Sequence, residues 1–167
     1  MTDLSPLLPL ARDLITRCAE RGLSIVAAES CTGGLVAGVL TEISGSSMVV
    51  DRSFVTYSNA AKAEMLGVSV SLIERVGAVS EEVARAMAEG ASARTAADLA
   101  IAVTGIAGPT GGSPAKPVGL VHFAALRRGG TTLHAERRFG DIGRSAVRLA
   151  SVETALGMLY GLVAMER

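Results

Sequence analysis

Apolar positions along the chain follow two rhythms, one of helical period and one of short continuous runs, and their order predicts an α/β fold. Over Leu4–Glu20, the residues Leu7, Leu10, Leu14, Ile15 and Cys18 recur at helical spacing, with Arg12, Asp13 and Arg17 between them and Gly22 as a stop signal. Ser24–Ala28 reads as a short buried strand and Leu35–Ile43 as a helix. Val49–Tyr57, with its Val, Phe, Thr and Tyr, reads as a second strand. Helices follow over Ala60–Leu66, Val68–Val76 and Ser80–Arg94, the last capped by Ser80 with Glu81 and Glu82 in its first turn. Asp98–Thr104 is apolar almost throughout, as central strands covered on both faces are. Val118–Leu126 and Thr131–Phe139, joined by Arg127-Arg128-Gly129-Gly130, read as an antiparallel hairpin. A last helix runs to about Met165, with Asp141 as its expected N-cap. The expectation is a three-layer α/β/α fold with a mixed, mostly parallel central sheet.

Composition narrows this further. At 167 residues the chain fits one domain, expected to span 1–167, and can bury a substantial core. Apolar residues make up 49% but aromatic ones only 3%, so the core must be built from Ala, Val, Leu and Ile, which suits helices packed closely on a sheet. Sixteen basic and sixteen acidic residues cancel, and there is no Trp. Nucleic-acid binding, which needs a cationic face or a stacking platform, is therefore not expected. Asp3 stands where a signal peptide wants positive charge, and no uninterrupted apolar run is long enough to cross a bilayer, so no membrane role is expected and the protein is read as cytoplasmic. Cys18 and Cys31 are too few for a disulfide framework, and His122 and His134 lack a zinc-binding spacing, so no metal site is expected.

Candidate chemistry gathers at two strand ends. Ser30-Cys31-Thr32-Gly33-Gly34 joins the first strand to its helix through small residues, a junction that favours an anion or a developing oxyanion beside Ser30. The same pattern also fits an ordinary turn with Thr32 as N-cap. A thiol at a helix N-terminus can be activated, so Cys31 competes with Ser30 as nucleophile. Lys62 falls in the first turn of a short helix, in a chain that carries fourteen Arg but only two Lys. Burial and the positive helix end would both depress its pKa and let it accept a proton, although its position also fits a solvated surface lysine. Tyr57 lies at the adjoining strand end. Gly105-Ile106-Ala107-Gly108-Pro109 leaves the most apolar strand, where open α/β sheets bind ligands, and Arg144 at the start of the last helix opposes the helix dipole in a way that a bound phosphate would relieve.

Taken together, AESCTGG at 28–34, GSS at 45–47, FVTYSNAAK at 54–62, VTGIAGPTGG at 103–112, KPVGLV at 116–121 and GDIGR at 140–144 resemble the CinA C-terminal domain family over nearly the whole chain. Larger CinA proteins carry this domain behind another; here it is expected to stand alone, as in the PncC-type nicotinamide-nucleotide amidases. The resemblance implies hydrolysis of the carboxamide of nicotinamide mononucleotide in pyridine-nucleotide salvage, without a metal or organic cofactor. It implies a Ser-Lys site: Ser30 as nucleophile, Lys62 as its base, Tyr57 assisting and Ser47 as a second serine on the same wall. Cys31 with the backbone of Thr32, Gly33 and Gly34 would meet the oxyanion or phosphate, Thr104, Gly105 and Gly108 would line the nucleotide, and Arg144 would hold its phosphate. A homo-oligomer is expected. The rival class is a non-catalytic nucleotide-binding or regulatory module, which would tolerate Lys62→Arg as base chemistry would not.

Overall fold

A computed structural model describes residues 2–165. Five strands form one sheet in the order β2-β1-β3-β4-β5: β1 (Ile25–Glu29), β2 (Val50–Val55), β3 (Leu99–Gly105), β4 (Leu120–Arg127) and β5 (Leu133–Arg138). β2, β1 and β3 are mutually parallel, while β4 and β5 continue the sheet as an antiparallel hairpin. Four of the five strands thus run in one direction and only β4 opposes them, the mixed, mostly parallel sheet that the alternating pattern predicts.

Helices cover both faces. α1 (Leu8–Arg21), α2 (Leu35–Thr41) and α6 (Arg144–Ala164) pack on one side, α3 (Asn59–Leu66), α4 (Val70–Val76) and α5 (Glu81–Ala93) on the other. The period-2 alternation of the strands divides the core between them. Ile25, Ala27, Leu99, Ile101, Val103, Val121 and Phe123 face α1, α2 and α6. Val26, Ala28, Ala100, Ala102 and Ala124 face α5. The second set is mostly alanine, and α5 answers with Ala84, Ala88 and Ala91, so helix and sheet approach closely without aromatic filling. The same parity carries past the strand ends. Ser30, Thr104 and His122 fall on the α5 side and Glu29 on the α2 side.

One expectation changes at α6. Its helical hydrogen bonds start at Arg144 behind Gly143, and Asp141 caps nothing. Gly140 and Gly143, with φ of 77° and 91°, carry the chain through a turn that uncouples Asp141 from the helix. By length and composition α6 is apolar enough to span a bilayer, since a helix-length window tolerates the two charges, Arg148 and Glu153, that interrupt its apolar residues. Its buried stripe, Val147, Val152, Leu156, Leu159 and Val163, packs into the core instead.

The sheet order puts a topological switch point between β1 and β3: the chain leaves β1 toward β2 on one side and reaches β3 on the other. Crevices at the carboxyl ends of such strands are where open α/β sheets hold ligands.

Candidate active site

Ser30 sits at that switch point. Its N–H donates to Val103 O at 3.0 Å, and the neighbouring Thr56 N–H donates to Glu29 O at 2.8 Å, so β1 is clamped on both sides up to its last residue. A cleft of about 220 Å³ opens above, lined by Ser30, Cys31, Tyr57, Gly105–Gly108, Thr110, Gly111 and Arg144.

Lys62 reaches this cleft from below. Ser58 caps α3 by accepting from Ala61 N–H at 3.0 Å, which fixes the phase of the helix and turns Lys62 inward. Its side chain is only 1% exposed. Nζ donates to Ser30 Oγ at 3.0 Å and to Thr56 O at 2.8 Å. Burial lowers the lysine pKa, against a smaller opposing effect of the Cys31 thiol. The largest cause is desolvation, one of the two that its sequence position suggests. A neutral amine keeps one N–H for Thr56 O and turns its lone pair to Ser30, so the 3.0 Å contact reverses and Ser30 becomes the donor.

Cys31 lines the cleft, but burial pushes its thiol up to about 12, so the thiolate that a sulfur nucleophile requires is suppressed. Arg144 donates to Gly108 O and to the Tyr57 hydroxyl, both at 2.9 Å, and spans the cleft mouth between two loops. Gly105 is needed for space: a Cβ there would fall 2.6 Å from the Val121 side chain.

Several expected site residues make other contacts or lie elsewhere. Tyr57 is 63% exposed and its hydroxyl meets Arg144 rather than Lys62. Ser47 is exposed in a short 3-10 turn ahead of β2. Ile25 of β1 lies opposite Val50, so Ser47 belongs to the amino end of the parallel strands and Ser30 to the carboxyl end. The two serines do not share a wall. Thr104 turns its hydroxyl to Ala78 O at 2.9 Å and ties β3 to the loop before α5. The Thr32 hydroxyl is buried without a partner and caps no helix.

Gly33 and Gly34 are not free donors either, and Gly34 is held by Glu29, a residue of the AESCTGG motif to which the sequence assigns no role. Glu29, fully buried, accepts from Gly34 N–H at 3.0 Å, Val36 N–H at 3.1 Å, Ala37 N–H at 3.0 Å and Ser53 Oγ at 2.9 Å. It is the real cap of α2. Gly33 N–H donates to Ser30 O at 3.0 Å. Arg148, also unforeseen, donates from Nε to Cys31 O and from Nη2 to Thr32 O, each at 3.1 Å. A carboxylate closing an otherwise apolar strand, and an arginine one helical turn after Arg144, were the available signals.

A serine hydroxyl against a buried, pKa-lowered lysine, at the carboxyl edge of a mixed α/β sheet, sets a candidate nucleophile beside a candidate base. The chain belongs to the CinA C-terminal domain family, whose model matches residues 8–163. The nicotinamide-nucleotide amidohydrolase PncC of Enterobacter agglomerans is 53% identical over 141 residues, covering 81% of this chain and 85% of that protein. A CinA-like protein of Anaeromyxobacter dehalogenans is 47% identical over 87% of this chain, which spans 35% of that longer relative. The crystal structure of competence/damage inducible protein CihA from Agrobacterium tumefaciens superposes with a TM-score of 0.92 at 58% identity, over 93% of this chain and 94% of that one.

Proposed function

We propose that this chain is a nicotinamide-nucleotide amidase that hydrolyses the carboxamide of nicotinamide mononucleotide to nicotinic acid mononucleotide and ammonia, in pyridine-nucleotide salvage. The observation that carries the reading is the 3.0 Å contact between Ser30 Oγ and the buried amine of Lys62, in a chain 53% identical to a nicotinamide-nucleotide amidohydrolase. Neutral Lys62 takes the Ser30 proton as Oγ attacks the amide carbon, and the carbonyl oxygen becomes an oxyanion. The lysine then returns that proton to the leaving nitrogen, which departs as ammonia and leaves an ester on Ser30. Water, deprotonated by the same amine, attacks this ester; the acid leaves and Ser30 regains its proton. Arg144, exposed at the cleft mouth with its guanidinium already in hydrogen-bonding reach of two loops, is the group that would meet a substrate phosphate.

The test is ammonia release from nicotinamide mononucleotide by purified wild type and Ser30→Ala. Wild-type turnover with a loss of at least about 10³-fold in the variant is expected. No ammonia from a folded wild-type chain would refute the assignment.

A further inference from the structure

The backbone around Ser30 can be accounted for group by group. From Ser30 to Ala37, Ser30 N–H goes to Val103 O, Gly33 N–H to Ser30 O and Leu35 N–H to Thr32 O. Gly34, Val36 and Ala37 N–H all go to the Glu29 carboxylate. Among the described residues no other residue takes the N–H of Cys31 or of Thr32, and the Cys31 N–H meets only its own sulfur, a weak acceptor. These two donors directly follow the nucleophile, and their peptide planes are held from the other side. The Ser30 carbonyl accepts from Gly33 N–H and the Cys31 carbonyl from Arg148 Nε at 3.1 Å. A trans peptide points its C=O and N–H in opposite directions, so gripping the oxygen aims the hydrogen.

We infer that Glu29 and Arg148 are positioning residues for acyl transfer, which fix the Ser30–Gly34 turn so that the Cys31 and Thr32 N–H groups form the oxyanion site. Glu29 consumes the N-terminal donors of α2 that would otherwise compete for the developing charge, and Arg148 sets the plane of the Cys31–Thr32 peptide. Neither side chain touches substrate. Gly33 fits the same account, since a Cβ there would lie 3.2 Å from Arg148 Nη2 and press the guanidinium off its carbonyls. The inference rests on Ser30 acting as the nucleophile, as proposed above, but not on the identity of the amide.

The experiment measures two reactions in wild type, Arg148→Met, Arg148→Lys and Glu29→Gln, with the melting temperature of each checked. One is steady-state hydrolysis of nicotinamide mononucleotide. The other is acetylation of Ser30 by p-nitrophenyl acetate, followed by p-nitrophenolate release and by mass spectrometry of the Ser30 peptide. Arg148→Met is expected to lower kcat and the acetylation rate by the same factor, about 10- to 100-fold, approaching the loss of one oxyanion donor. KM and the pH midpoint set by Lys62 should stay at their wild-type values, which a general loosening of the fold would not leave untouched. Arg148→Lys, which keeps the charge but not the two-pronged grip, should recover only part of the rate. If Glu29→Gln does not fold, the two Arg148 variants still decide. Wild-type rates in Arg148→Met, or an effect confined to KM, would overturn the inference. A wild type that is acetylated on Ser30, is slowed by Arg148→Met, yet ignores the mononucleotide would uphold it and refute only the substrate. A wild type inert in both reactions would refute both.

Discussion

Gly90 offers a test of whether the position of α3, far from any substrate, sets the chemistry. A methyl group at this position would overlap the Leu66 carbonyl oxygen and stand 3.0 Å from its carbonyl carbon and 3.2 Å from its Cβ. Carbon pairs are comfortable at roughly 3.5–4.0 Å, so α3 and α5 must separate by about 1 Å. The obstacle is largely backbone, and no rotamer change relieves it. Leu66 lies one helical turn from Lys62, on the same face of α3, and both are 1% exposed. Displacing the turn therefore displaces the root of the lysine, whose Nζ must stay 3.0 Å from Ser30 Oγ. Helix propensity alone would make Gly90→Ala stabilising by about 1 kcal/mol. Overpacking costs about 1–3 kcal/mol, so the net expectation is a loss of up to about 2 kcal/mol, or up to roughly 6 °C in melting temperature for a chain of this size. In turnover, a misplacement of about 1 Å can cost on the order of 10²-fold. Urea unfolding and steady-state ammonia release on the same preparation give both numbers. A Gly90→Ala protein that is more stable than wild type and retains its kcat would show that the α3–α5 contact does not control the Ser30–Lys62 pair.

Three further outcomes follow from the same geometry. Because the folded state lowers the Lys62 pKa from 10.5, the unfolded chain holds the lysine proton more tightly, and wild type should gain stability over Lys62→Met as pH rises from 7 toward 10; parallel stability curves in urea would contradict the shift. His122 is buried against His134, with Glu81, Glu136 and Lys116 around the pair, and burial lowers its pKa from 6.5 more than Glu136 raises it. The unfolded state therefore takes up the proton first, stability should fall as pH drops below about 6.5, and His122→Gln should lose less between pH 7 and 5; an equal loss would remove His122 from the acid limb. Arg144→Ala should raise KM for the mononucleotide about tenfold or more while leaving a phosphate-free riboside nearly unaffected, and an equal change on both would mean that the arginine only braces Tyr57 and Gly108.

The strands and helices were legible because buried Ala, Val, Leu and Ile leave a strong periodic trace, and the boundaries of β1, β3 and α5 fall within a residue or so of those the pattern implies. Lys62 was legible as an anomaly of composition and Ser30 as the polar end of an apolar run. Glu29 was not, since a carboxylate closing a strand looks like a surface residue until the fold wraps α2 over it. Ser47 failed for the opposite reason: a serine in a small polar turn carries no sign of which end of the sheet it occupies, and only the parallel register of β1 with β2 settles that. Tyr57 sits beside the cleft as its strand-end position implies, but which way its hydroxyl points depends on Arg144, 87 residues away in sequence.

If Ser30 oxygen becomes covalently bound to the substrate acyl group, rapid acid quenching of wild type mixed with excess nicotinamide mononucleotide will trap the adduct. Mass spectrometry of the digested protein should find the peptide containing Ser30 heavier by the nicotinate-mononucleotide acyl group at early times, and unmodified in Ser30→Ala. Steady ammonia release in wild type with the adduct on Cys31 or Ser47, or undiminished ammonia release by a folded Ser30→Ala protein, would contradict this covalent step.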